Sequence, residues 1–282
     1  MASVPLDGFK GLDSLPSLPS QMLNVLEELG RTSAMDYNIV QIIQYDASIA
    51  CQVLKVANSP LYGYQGEIAS LQQASGLLGP GVIKNSILTT PVLELFSENS
   101  RRKIDYNRIW LHSAVTGAIA GCLGKFVRDM ESDVCFTAGL IHDIGKIALA
   151  VHHSSVFRDV LDLVEKEKIS LVEAEQKILG FCHSDIASAI SAQWGLPSAL
   201  VKALGNCSRP IFVKTSDKLS ALIQLAKFLA VAWGYPDGME SHFPCQYDDV
   251  ISVLGISKEK LDIWKPEMVE YADYVVHKVL KK

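Results

Sequence analysis

The densest run of groups able to do chemistry is Gly139-Leu140-Ile141-His142-Asp143-Ile144-Gly145-Lys146. An imidazole beside a carboxylate inside an apolar helical stretch is costly unless both are satisfied. A divalent metal would satisfy both, since neutral imidazole and carboxylate are standard ligands for Zn, Mn or Fe. Adjacent helical residues diverge by about 100°, so the two share a metal only across a groove facing partner helices. Gly139 and Gly145 let such partners come close, and Lys146 could then meet a phosphate. The same residues equally suit a hydrogen-bonded His–Asp pair that fixes helix packing, because perturbed buried pairs occur in structural networks as well as at sites.

The elements that must position this run are helices. Leu15-Pro16-Ser17-Leu18-Pro19-Ser20 punctuates and ends in a good N-cap, and Met22, Leu23, Val25, Leu26 and Leu29 then recur at helical spacing up to Gly30. Ile39 to Ile43 marks a second helix, and Asp46 caps a third carrying Ile49, Val53, Leu54 and Val56. Ser70 to Gln73 and Ser170 to Glu173 read as capping boxes. Gly79-Pro80-Gly81 separates a short helix from one running towards Phe96. Longer helices are expected over 106–127, 136–150, 183–194, 197–204, 216–233 and 257–279. Strand-like alternation is nearly absent, so the fold class is all-α. Residues 13–99 form one helical lobe and 100–235 a second that holds the titratable groups. Residues 236–282 read as a polar linker followed by an amphipathic docking helix.

Composition bounds the function. With 282 residues and 49% hydrophobic side chains, the chain can bury a sizeable core. A net charge of −5 does not attract nucleic acid or anionic lipid, and Arg101-Arg102-Lys103 is a short basic run that reads as a solvated helix entry. The six cysteines form no C-x-x-C pair and several sit in apolar surroundings, as buried thiols do in a reducing compartment. Met1 to Asp7 lacks the basic and apolar regions of a signal peptide, and no uninterrupted apolar stretch of spanning length is evident, so a cytoplasmic location without membrane insertion is expected. Phosphate-binding loops, dinucleotide fingerprints, nucleophile elbows and H-E-x-x-H are absent.

His142-Asp143-Ile144-Gly145-Lys146 resembles the HD-x-G-K signature of the HD phosphohydrolase superfamily. A longer ordered series narrows the resemblance: Leu15 to Pro19, Asp46 to Ile49 with Val53 to Ser59, Trp110-Leu111-His112-Ser113, Phe136 to Asp143, and Trp194-Gly195-Leu196-Pro197. Together these resemble the HDOD family (HD-related output domain) over about residues 13–235. The resemblance implies a degenerate HD-type helical core and a role in bacterial signal transduction as an output or partner-binding module. It maps the metal ligands to His112, His142 and Asp143, and the last superfamily ligand, an Asp on a late helix, to Lys227. A protonated lysine has no lone pair and cannot replace an anionic ligand, though its ammonium could take the space of a lost metal and pair with Asp143. His183 matches an extra histidine of the related HD-GYP class, whose multi-metal sites act on cyclic dinucleotides. It could equally be an ordinary residue near a helix start. The histidine pair found after the next helix in related sequences is replaced by Asn206-Cys207.

The resulting expectation is a signalling module that binds a protein partner, with an incomplete site able to hold Fe, Mn or Zn weakly. The alternatives are a metal-dependent phosphohydrolase acting on a nucleotide or cyclic dinucleotide, and a nucleotide-binding sensor without chemistry.

Overall fold

The computed structural model describes residues 6–9, 40, 43–44, 46–59, 64, 66–88, 104–209, 217–239 and 247–279. Among these residues the structure is helical with no strand. A 3-10 turn at Leu6–Phe9 precedes α1 (Ala47–Ala57), α2 (Leu71–Leu88), α3 (Tyr106–Phe126), α4 (Ser132–Ile141), α5 (Ile144–His152), α6 (Ser154–Glu167), α7 (Leu171–Leu179), α8 (His183–Gln193), α9 (Ser198–Asn206), α10 (Lys218–Ala232), α11 (Tyr247–Leu254) and α12 (Lys258–Val279). The helix expected over 22–29 and the proposed lobe boundary near residue 100 lie outside the described residues, as does most of the helix expected around Ile39 to Ile43.

Helix starts follow local polar chemistry. Asp46 Oδ1 accepts the Ser48 and Ile49 amides at 2.8 and 3.0 Å and opens α1. The Ser70–Gln73 box closes with reciprocal bonds of 3.1 and 3.2 Å, and the Ser170–Glu173 box with bonds of 3.2 and 2.8 Å. These side chains satisfy amide donors that the helix itself leaves open. Asn58 ends α1 and bonds Ile68 through both its amide nitrogen and its oxygen, stitching α1 to the approach of α2.

The single helix expected from Phe136 to Ala150 is two. The chain leaves helical geometry at Asp143 (φ −99°, ψ 16°) and restarts at Ile144, so the His142–Asp143 doublet occupies the break between α4 and α5. Two helices, α6 and α11, fall in stretches the sequence reading left unassigned.

α3 is the central element, buried for most of its length, with α4, α10 and α12 packed around it. Its contact with α4 is close enough that a Cβ at Gly139 would come within 2.9 Å of the Gly117 Cα and the Thr116 carbonyl. α12 docks on α3 through buried Met268, Ala272 and Val275, a Trp264–Phe126 stack with centroids 4.6 Å apart, and a 2.9 Å Lys125–Glu267 pair. One contiguous apolar core runs from Phe9 to Val275. The stretch Ser132–His152 has the length and composition of a membrane-crossing helix, but it is broken at the doublet and mostly buried within the fold, where it serves as core.

Candidate metal centre and its charged surroundings

α3 and the α4–α5 break bring three predicted residues together. His112 Nδ1 lies 2.7 Å from the Tyr235 carbonyl, and His142 Nδ1 lies 2.7 Å from the Gly139 carbonyl. A carbonyl can only accept, so each Nδ1 donates, and in a neutral ring the Nε2 then keeps its lone pair. The two rings meet edge to face with centroids 5.3 Å apart. His142 Nε2 is 3.1 Å from Asp143 Oδ1, and His112 Nε2 is 4.0 Å from Asp143 Oδ2. One ligand atom from each of the three lies within 4.8 Å of the others. All three side chains are buried, and apart from their mutual 3.1 Å approach His142 Nε2 and Asp143 Oδ1 have no hydrogen-bond partner.

Buried polar atoms without partners, converging from two oriented imidazoles and a carboxylate, fit a divalent cation as a donor set. Burial lowers the His142 pKa to about 4, which keeps its ring neutral and able to donate a lone pair.

The charges around these donors point the other way. Lys146 Nζ sits 3.0 Å from Asp143 Oδ2 and 2.7 Å from Asp237 Oδ2, fully buried. Lys227 is also buried, and its ammonium donates to Ser208 Oγ at 3.1 Å. Burial by itself raises the Asp143 carboxyl; His142, Lys146 and Lys227 outweigh it and hold Asp143 well below the usual carboxylate range. With the His142 ring neutral, the two ammoniums keep Asp143 ionised. Among the described residues two carboxylates face two ammoniums, so a dication would enter a space where these charges already balance.

Lys227, whose ammonium could pair with Asp143 on the sequence, is buried on the Ser208 side of that carboxylate. Among the described contacts the direct ion pair is made by Lys146, because the helix restarts at Ile144 with Asp143 as its N-cap and places residue 146 one turn on from it. Lys227 acts on the same carboxylate from the side of Ser208. The ammonium of Lys146, expected to meet a phosphate, is enclosed between two carboxylates.

His183 belongs to an adjoining chain of bonds. Its Nδ1 and backbone amide both meet Glu175 Oε2, at 2.8 and 3.0 Å, and its Nε2 is 2.9 Å from Ser208 Oγ. Lys227 donates to Ser208, so the hydroxyl proton is free to go to His183 Nε2 and the Nδ1 proton to Glu175. A serine, histidine and glutamate in this order have the connectivity of an acyl-transfer triad. All of them are buried, however, and an ammonium binds the serine oxygen, so the chain reads as a structural network. Cys207, where related sequences carry a histidine, is a buried thiol whose pKa is pushed up by burial to about 11; it bonds the Leu204 carbonyl at 3.1 Å.

Asp237, Glu175 and Ser208 were not singled out from the sequence. Asp237 lies in Pro236-Asp237-Gly238, which has the composition of a solvated turn, and neither a capped helix like α7 nor a serine after a helix end distinguishes a network member.

A helical fold that sets a histidine of one helix against a His-Asp doublet between two others is of the HD-related class. Within it, the chain belongs to the HDOD domain family, whose model matches residues 15–210. The fold is similar to that of the MmoQ response regulator of Methylococcus capsulatus str. Bath, with TM-score 0.71 and 19% identity over 90% of this chain and 98% of that one. It is also similar to an HDOD domain protein of unknown function from Geobacter sulfurreducens, with TM-score 0.57 and 21% identity over 98% and 97% of the two chains. At this identity the likenesses establish the fold. A curated relative, an uncharacterized protein of Treponema pallidum (strain Nichols), is 21% identical over 198 residues, which is 68% of this chain and 37% of the relative.

Proposed function

We propose that the chain is a non-catalytic signal-transduction output module that works by binding a signalling protein. The observation carrying this reading is the Lys146 ammonium held between Asp143 and Asp237, with Lys227 buried beside them where the superfamily has its last acidic ligand. Metal-assisted hydrolysis needs an ion held firmly enough to acidify water and polarise a phosphate, and a substrate path to it. His112, His142 and Asp143 could hold Fe, Mn or Zn with water completing the shell, but only weakly against two ammoniums. Access argues in the same direction. The centre is buried, and surface cavities of about 360, 460 and 430 Å³ are lined by other residues. The likeness to a response regulator favours a signalling role, and the net charge of −5 disfavours nucleic acid as the partner. A cytoplasmic setting without membrane insertion fits the buried thiols.

The test is turnover. With Mn or Fe(II) added, the protein should hydrolyse neither simple phosphoesters nor cyclic dinucleotides above a no-enzyme control. Robust turnover that His142→Ala abolishes would overturn the reading.

A further inference from the structure

The segment from Gly234 to Met239 touches the buried centre and the carboxy-terminal helix at once. The Tyr235 carbonyl accepts the His112 Nδ1 proton at 2.7 Å, and the Tyr235 hydroxyl donates to Asp273 of α12 at 2.9 Å. Two residues on, Asp237 holds Lys146 through Oδ2 and accepts the Met239 amide through Oδ1 at 2.9 Å, which fixes its own loop. Gly234 and Gly238 take φ values of +93° and +84°, so the strap turns sharply on either side of these contacts. Asp237 and Met239 are buried; the strap's bond to Asp273 is exposed, as is the Lys125–Glu267 pair that ties α12 directly to α3, and α12 also rests on α3 through buried Met268, Ala272 and Val275.

We propose that this strap is a latch coupling the charge arrangement of the buried centre to the docking of α12 on α3. Lys146 is shared by Asp143 and Asp237, so anything that redistributes charge at Asp143 alters what holds Asp237. The strap passes that change to α12, and by linkage the coupling runs equally in reverse. Released, α12 would bare the α3 face around Phe126. That face suits an amphipathic partner helix with the apolar spacing of Leu261, Trp264, Met268, Tyr271 and Val275. The inference rests on the signalling reading only for that last step; the latch itself is a property of the chain alone.

Asp237→Asn in the full chain tests it by hydrogen exchange. Asparagine keeps an oxygen for the Met239 amide, and Lys146 keeps Asp143. Amides of α12 should exchange roughly tenfold faster than in the parent, within the usual range of coupling energies, while those of α8, which packs against α5 beyond the centre, keep the parent rate. Unchanged α12 exchange, or equal acceleration of α8 and α12, would overturn the latch. If Asp237→Asn does not melt cooperatively, Tyr235→Phe decides from the other end. Cutting the bond to Asp273 should speed solvent exchange of the His112 Nδ1 proton, read by NMR, and an unchanged rate overturns the coupling. Neither experiment measures turnover or partner binding, so the latch and the signalling reading fail separately.

Discussion

His142 is the residue whose protonation the fold controls most openly. Burial takes its pKa from an ordinary 6.5 to about 4. The folded state refuses a proton that the unfolded chain accepts between those values, so the contribution of His142 is complete above pH 6.5 and is lost as pH falls towards 4. The loss amounts to about 3 kcal/mol. Asp143, held low, begins to cost stability only below the ordinary carboxylate range, so the two windows are separate. NMR titration of the His142 ring should give an inflection near 4, and one near 6.5 would contradict the burial argument. The lysines differ in what their loss exposes. Lys146→Met removes the ammonium that Asp143 and Asp237 share and should cost about 3–5 kcal/mol in urea denaturation; Lys227→Met, with Lys146 still on Asp143, should cost less. The reverse order would show that Lys227 is the main counter-ion. His112, His142 and Asp143 were legible because a doublet and an upstream histidine carry their own signature. Asp237 was not, since nothing in a Pro-Asp-Gly turn tells a buried carboxylate from a solvated one.

Helices set the distances on which those residues depend, and one close approach is between α5 and α8. A Cβ at Gly145 would collide with the His183 carbonyl oxygen, a backbone atom that cannot swing aside. Gly145→Ala should therefore lower stability by more than about 3 kcal/mol or prevent folding. Gly76→Ala, where nothing lies within 4 Å, should be neutral or stabilising by up to about 1 kcal/mol. Equal melting temperatures for the two variants would refute the packing. Capped helices were readable from sequence because a cap is a local bond. The break at Asp143 was not, because the apolar pattern runs through it and it is stabilised by contacts from other helices. α6 carries Phe157, Val160, Leu161 and Val164 at helical spacing, a signal that was present but not assigned. α11 is short and borders residues of linker-like composition.

Across the whole molecule, the HDOD scaffold keeps three oriented donors and surrounds them with internal cations, and the ordered series of short motifs made that scaffold legible over most of the chain. Because the centre is buried, nucleotides should leave the melting temperature unchanged; a concentration-dependent rise would favour a nucleotide sensor. The account stands most directly on position 227. Titration calorimetry with Mn and Zn should show Lys227→Asp binding roughly tenfold or more tightly than the parent, because a fourth ligand is restored and a buried positive charge removed. Equal binding by the two proteins would place residue 227 outside the centre and contradict the claim that ammonium groups stand where a metal ligand has been lost.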